Sequence, residues 1–497
     1  MLFNSTRNKR NQVSSKKAIL QGISDEGGLY VPESFPNAGS PSNMTEMKYK
    51  DLAYYICGKF LTDFTPEELS HCVSSAYNTD NFSTEFIAPL RKLNDRFILE
   101  LFHGRTSAFK DMALCILPFF IESSLHSQKD YTDILIITAT SGDTGKAALE
   151  GFKNVEHTKI AVFYPEKGVS DTQKLQMQTQ EGENVFVLGV EGNFDDCQRA
   201  VKTTFADEEF SQLLKSNNTR LSSANSINIG RLIPQIVYYY NAYITMLKFG
   251  EISENEKINI VVPTGNFGNI LAAYYAMQMG LPVNNLICAS NDNNVLTDFI
   301  NTGVYDSNRE LVATPSPSMD ILVSSNLERF LYHISGNDDE LISALMGELR
   351  DKGKYRIPED LKDKMPFLKA YYATEEEASN KILYSLINDQ YLMDTHTAVA
   401  NVCYDKYRME TQDNTKTIIA STASPYKFSD SMLKALKIET ENMTEQEKIE
   451  KLSELTSVDI PKNLMNLDSK EKRFTTYVPK EEIFTYLNEF VKGDHDA

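Results

Sequence analysis

From residue 97 to residue 421, short and continuous apolar runs alternate with helix-period patterns, and few architectures accept that alternation. The clearest strand candidates are Phe97–Leu101, Ile134–Thr140, Lys159–Tyr164, Asn184–Gly189, Ile258–Pro263, Leu286–Ala289 and Thr417–Ser421. An uninterrupted apolar run suits a strand covered on both faces, as in a parallel sheet wrapped by helices. The chain therefore reads as an α/β protein. Residues 1–90 read as mostly helical, with a turn-rich middle at Pro32, Pro36, Gly39 and Pro41. The polar stretch 439–475 reads as surface helix and loop, and Lys492–Ala497 as a frayed tail.

At 497 residues the chain has room for two or three domains with large cores. The net charge of −19 opposes binding to nucleic acid or to an anionic membrane, so an anionic ligand needs a local pocket of donors. Cys57, Cys72, Cys115, Cys197, Cys288 and Cys403 are dispersed, without zinc-ligand spacing, and read as reduced thiols of a cytoplasmic protein. The longest apolar stretch, around Ile116–Ile121, is short and contains Pro118, so no membrane span is expected. The first 24 residues lack acids and carry Arg7, Lys9, Arg10, Lys16 and Lys17. They faintly resemble a transit peptide but run without a break into domain sequence.

Chemistry gathers where strands end. Phe97–Leu101 leads into His103–Asp111, after which Phe109, Met112, Ala113, Ile116 and Leu117 recur at helical spacing, with Thr106 or Ser107 as the expected N-cap. Lys110 falls in the first helical turn beside that stripe. Cations favour a helix C-terminus, so Lys110 is poorly placed to serve the dipole. A partly desolvated amine facing a crevice suits Schiff-base chemistry, whereas the plain alternative is a lysine snorkelling to solvent.

The stretch Thr138–Lys146 offers hydroxyls and backbone N–H groups at a helix start, the makings of a carboxylate or phosphate site. Two residues separate Gly142 from Gly145 and no Ser or Thr follows Lys146, which rules out a P-loop; a capped tight turn is the alternative. Pro263–Asn269 is a glycine-punctuated loop between strand and helix, suited to one phosphate on a small cofactor. Ile418–Pro425 sets a neutral hydroxyl, Thr422, beyond a strand end. Ser223–Arg231 joins amides, a hydroxyl and an arginine, which match a phosphate ester or carboxylate. The following run Val237–Tyr243 reads as helix packing rather than an aromatic binding box.

Taken in order, these motifs resemble the threonine synthase family of fold type II, tryptophan-synthase-β-like pyridoxal-phosphate enzymes, in its longer bacterial and fungal branch. The resemblance begins at Ser5-Thr6-Arg7 and runs through Asp25–Pro32, the Lys110 motif, Thr140–Gly145 and Gly192–Asp196. It continues through Ser223–Arg231, Gly265–Asn269, Ser316–Asp320, His396–Ala400 and Ser421–Phe428. It implies a small and a large α/β domain around mostly parallel sheets, plus an N-terminal mainly helical region. The expected boundaries are 1–95 for the N-terminal region, 96–225 for the small domain with the cofactor lysine, and 226–497 for the large domain with the phosphate loop.

The resemblance also implies residue roles. Lys110 would join pyridoxal 5'-phosphate in a Schiff base and then shuttle protons. Gly265, Asn266, Phe267, Gly268 and Asn269 would hold the cofactor phosphate, and Thr422 would meet the pyridine nitrogen. Ser141, Thr144, Asn225, Ser226 and Arg231 are the candidates for the substrate's phosphate and carboxylate. The implied reaction turns O-phospho-L-homoserine and water into L-threonine and phosphate by γ-elimination and β-addition, in a monomer or homodimer without nucleic-acid or membrane partners. A phospho-lyase releasing 2-oxobutyrate and a degenerate, non-catalytic homologue are the alternatives. One departure stands out: the proline that usually follows His-Gly is Arg105 here, which frees φ in the turn and adds a cation. Arg105 is expected to point outward.

Overall fold

The computed structural model describes residues 1–128, 132–140, 142–166, 169–192 and 194–493. The chain opens with an antiparallel sheet of β1 (Leu2–Ser5), β2 (Asn8–Ser14) and β3 (Tyr30–Pro32), ordered β2-β1-β3. Its strands are short or, in β2, polar and so escaped the apolar-run signal, and residues 1–90 are less purely helical than their pattern suggests. Helices Tyr49–Phe60 and Pro66–Ala76 follow. The second has reciprocal capping between Thr65 and Glu68, proline in its first turn, and buries Leu69, Cys72, Val73 and Ala76 along one stripe.

Next come β4 (Leu90–Leu93), β5 (Arg96–Glu100), β6 (Asp133–Ala139), β7 (Thr158–Pro165), β8 (Val185–Glu191), β9 (Thr219–Ser222), β10 (Ile258–Pro263) and β11 (Val283–Ser290). A short antiparallel ribbon of β12 (Val304–Asp306) and β13 (Lys354–Arg356) precedes β14 (Leu368–Tyr372), β15 (Thr417–Ser421) and β16 (Tyr477–Pro479). One sheet has the order β14-β11-β10-β15-β5-β4, parallel except for its edge strand β4. The other, β16-β8-β7-β6-β9, is parallel throughout.

Both faces of the six-stranded sheet are buried, which explains the uninterrupted apolar runs. In β10, Ile260 and Val262 enter one core while Val261 enters the other; in β15, Ile418 and Ala420 oppose Ile419 in the same way. Every strand anticipated from an apolar run forms, Ile258–Pro263 and Thr417–Ser421 with the expected ends and the others with shifted ones. The boundaries at 96 and 226 do not follow the sheets. Strand β5, at the head of the expected small domain, pairs with β15 in the larger sheet, and β16 from the chain end pairs with β8 in the smaller one. Parallel strands choose partners across long crossovers, and no local pattern encodes that choice. Among the described residues, no helix is long and apolar enough to cross a membrane.

Candidate active site

The carboxyl ends of β5, β10 and β15 and of β6 in the other sheet converge on a cavity of about 500 Å³, the crevice position that open parallel sheets offer to ligands. Its walls bring together Lys110, Thr144, Asn225, Ser226, Arg231, Gly265, Asn266, Phe267, Gly268, Asn269 and Thr422. Ser141, also anticipated here, lies outside the described residues.

The turn that delivers Lys110 is built from behind. The Asp111 carboxylate accepts the Thr106 N–H at 2.8 Å and the Thr106 Oγ1–H at 2.6 Å. Gly104 leaves the space this needs, since a Cβ there would stand 2.4 Å from Asp111 Cβ. Ser107 turns the chain at φ 58°. Helix α1 (Asp111–Leu114) therefore starts later than its pattern suggests, and Lys110 itself occupies the N-cap instead of Thr106 or Ser107. Local carboxylate capping of the turn outcompetes a hydroxyl cap. Burial pushes the Asp111 carboxyl up to about 6, against the Thr106 hydrogen bonds.

Lys110 Nζ donates to Ser318 Oγ at 3.2 Å and stands 3.7 Å from Asp143 Oδ2. Burial lowers its amine to about 8; Lys427 and Arg231 act in the same direction and Asp143 opposes them. Asp143 opens helix α2 (Asp143–Phe152) after β6. Its carboxyl is held far below the usual range by Lys427 and Lys110, despite burial.

Opposite the amine, helix α3 (Ile229–Lys248) contributes Arg231, and α4 (Gly268–Gln278) begins at the glycine loop. The loop's carbonyls are occupied from outside. Ser324 Oγ donates to Gly265 O at 2.7 Å, and Asn326 N and Nδ2 both donate to Asn266 O at 3.1 Å. Asn326 sits at the head of α5 (Leu327–Ile334), where Arg329 hydrogen-bonds its Oδ1 and Glu328 pairs with Arg7 at 2.7 Å. The N-terminal Thr6 and Arg7 thus brace the segment that shapes the loop. The helix start leaves first-turn N–H groups for an anion. Tyr238 donates to Asn269 Oδ1 at 2.8 Å and Tyr239 donates to the same oxygen, while the buried Asn269 Nδ2 has no partner among the described residues. These tyrosines are helix packing, as their pattern suggests, but their hydroxyls also orient the loop.

Arg231 is buried, with Nη1 on Ala224 O at 2.5 Å and Nε without a partner among the described residues. Burial lowers its guanidinium to about 10. Thr138 Oγ1 donates to Asn225 Oδ1 at 2.6 Å, which leaves the Asn225 amide hydrogens for the cavity. The Thr422 backbone takes the Phe109 N–H at 2.8 Å, so the lysine turn and the end of β15 are fastened together.

Sequence reasoning missed Ser318, His396 and Lys427 as parts of this site. Helix α6 (Thr395–Thr411) starts at Asp394, whose Oδ1 pairs with His396 Nδ1 at 2.9 Å. His396 Nε2 accepts the Ser318 N–H at 3.2 Å, so the imidazole is the Nδ1–H tautomer and serves to hold Ser318. Ser318 and His396 both lay in motifs carried by the family resemblance, and a buried histidine beside an aspartate two residues earlier was the available signal. Arg105 is exposed and lines a separate cavity of about 100 Å³ with Asp111, Cys115 and Glu150.

A largely desolvated lysine amine, an Asn269 Nδ2 without a partner among the described residues and a loop with no room for a Cβ at Gly265, where Ser318 O would be 2.5 Å away, fit a carbonyl-bearing cofactor with one phosphate. The comparisons agree. Residues 2–77 match the family model described as threonine synthase N terminus, and residues 397–484 the one described as threonine synthase, C-terminal. Threonine synthase from Saccharomyces cerevisiae is 34% identical over 469 residues, covering 88% of this chain and 89% of the relative. Human threonine synthase-like 1 is 41% identical over 452 residues, covering 87% of this chain; the chain spans 60% of that relative's length. The solved structure of PLP-bound threonine synthase from Brucella melitensis superposes with a TM-score of 0.87 at 33% identity, over 100% of both chains. The yeast enzyme structure gives 0.86 at 30% identity over 99% of each.

Proposed function

The chain belongs to the threonine synthase family of pyridoxal-phosphate-dependent lyases, and on that premise we propose that it converts O-phospho-L-homoserine and water to L-threonine and phosphate. The observation that carries this reading is a pair of anion cradles on either side of one depressed lysine amine. The glycine loop and the start of α4 form one; Arg231, Asn225, Ser226 and Thr144 form the other. A phosphorylated cofactor and a phosphorylated amino acid need two such cradles.

Pyridoxal phosphate, when bound, supplies an electron sink for charge developing at the carbons beside the substrate's amino group. In this reading Lys110, with its amine at about 8, is partly neutral at physiological pH and would be the nitrogen that holds the cofactor carbonyl. The same nitrogen, when free, would take and return protons at the substrate carbons. Ser318 and Asp143 keep it within reach. Gly265 to Asn269 would hold the cofactor phosphate, and Thr422 would offer the ring nitrogen a neutral hydroxyl rather than a carboxylate, so that nitrogen would stay unprotonated. Arg231 and the neighbouring amide and hydroxyls hold the substrate's anionic groups and stabilise the departing phosphate.

A second reading has one observation in its favour. The animal relatives named threonine synthase-like 1 are 38–41% identical to this chain, above the 34–35% of the yeast and bacterial threonine synthases. In this second reading phosphate leaves in the same way and 2-oxobutyrate is released in place of threonine. Incubation of the protein with pyridoxal phosphate and phosphohomoserine, followed by assay of threonine, phosphate and 2-oxobutyrate, separates the two. Phosphate with threonine supports the synthase, phosphate with the keto acid supports the lyase, and no phosphate sinks both.

A further inference from the structure

Lys427 is fully buried, a placement that lysine rarely takes without a partner. It lies on the turn that follows Thr422, and its Nζ stands 2.7 Å from Asp143 Oδ1 and donates to Thr106 O at 2.8 Å. Asp143 Oδ1 also takes the Gln173 Nε2–H at 2.8 Å. The other oxygen, Oδ2, takes the Ser318 hydroxyl at 3.1 Å, and that hydroxyl oxygen accepts from Lys110 Nζ. Five segments remote in sequence meet at one carboxylate: the lysine turn, the start of α2, the segment of Gln173, the Ser318 loop and the turn after β15.

A buried ion pair is an expensive way to staple loops, since desolvation offsets most of its attraction. Its placement suggests a second task. A buried carboxylate facing Lys110 alone would bind the ammonium form and oppose the free amine. With Lys427 on Oδ1, the carboxylate reaches Lys110 and Ser318 already compensated. We propose that Lys427 is a positioning residue: acting through Asp143, it keeps Ser318 Oγ and the Lys110 amine in place and cancels the charge that would otherwise hold Lys110 as an ammonium ion.

The inference deepens the reading of Lys110 as the Schiff-base lysine and rests on it. The charged and titratable groups around Lys110 are Asp143 on α2, Lys427 after β15, Arg231 on α3, Asp320 and His396 on the far wall, and Asp111 on its own helix. The Asp111 carboxylate is turned to Thr106, and the His396 ring is engaged by Ser318 and Asp394. Asp143 thus faces Lys110 as the nearest anion, with Lys427 as its counter-charge.

Trace acetylation of the cofactor-free protein across a pH series, with mass spectrometry of the Lys110 peptide, tests this directly. Half-labelling of Lys110 is expected near about 8 in the parent protein. In Lys427→Met it moves up by about one pH unit or more, in Asp143→Asn it moves down, and Lys427→Arg stays near the parent. A folded Lys427→Met protein whose Lys110 midpoint does not rise overturns the proposal and leaves only a staple. Should Lys427→Met not fold, Lys427→Gln repeats the test with the same upward shift expected, and a folded Lys427→Gln protein with an unmoved midpoint overturns the proposal. Borohydride trapping of pyridoxal phosphate reports separately. An adduct on another lysine overturns the Schiff-base reading, whereas an adduct on Lys110 with unmoved midpoints overturns the charge compensation alone.

Discussion

Lys110 is largely and Arg231 almost fully withdrawn from solvent, and desolvation does different work on each. For Lys110 the consequence is nucleophilicity: the amine must be neutral to attack, and its titration has moved from 10.5 to about 8. Cofactor capture by the apoprotein should therefore rise with pH through about 8, falling about tenfold per unit well below it. Stopped-flow absorbance checks this, and a midpoint near an ordinary lysine's 10.5 would contradict it. For Arg231 the consequence is recognition. Its Nε has no partner among the described residues and faces a cavity with room for an anion. Arg231→Lys keeps the charge but loses the planar fork, so the KM for phosphohomoserine should rise by about 10- to 100-fold, the worth of a charged hydrogen bond. Steady-state phosphate release measures it; an unchanged KM with a lowered kcat would remove Arg231 from substrate binding.

At the scale of elements, the glycine loop shows how tightly backbone geometry is specified. A Cβ at Gly265 would stand 2.5 Å from Ser318 O, so Gly265→Ala must push the loop or the Ser318 turn aside. Overpacking of this kind costs about 1–3 kcal/mol, and cofactor affinity should weaken about tenfold, with the melting temperature of the apoprotein changed little. Absorbance titration with pyridoxal phosphate measures the change, and unaltered affinity would place the phosphate elsewhere. Elements of this type were legible in sequence because each strand end couples an uninterrupted apolar run to polar, turn-forming residues. The positions of Lys110, Thr422 and the loop Gly265–Asn269 at strand ends follow from that signature, while the roles expected of them came with the family resemblance. The start of α1 was not legible: a carboxylate five residues on, Asp111, caps Thr106, and nothing in the local pattern ranks that cap above a hydroxyl. Nor was Lys427, whose meaning depends on a carboxylate 284 positions away that only the tertiary fold supplies.

Across the whole molecule, the cavity depends on two sheets, one of them completed by the C-terminal strand. Strand β16 closes the edge of β8, and the helix Ile483–Lys492 behind it buries Ile483, Leu487 and Val491, with Phe490 stacked on Phe186 at 5.1 Å. Removing these elements exposes both an edge strand and an apolar face. Three buried aliphatic side chains alone account for about 5–9 kcal/mol. A chain ending at residue 476 should therefore melt about 5–9 °C lower and aggregate through the open edge of β8. The effect reaches the site because β6 of the same sheet delivers Thr140 and α2, and β9 leads to Asn225 and Ser226. Substrate binding should fail before cofactor binding does, since the loop Gly265–Asn269 and Lys110 hang from the other sheet. Calorimetry together with separate titrations of pyridoxal phosphate and phosphohomoserine checks the order of loss. If the shortened chain kept the parent melting temperature, the C-terminal strand would be an ornament on β8 rather than the closing edge of the sheet that shapes half the cavity.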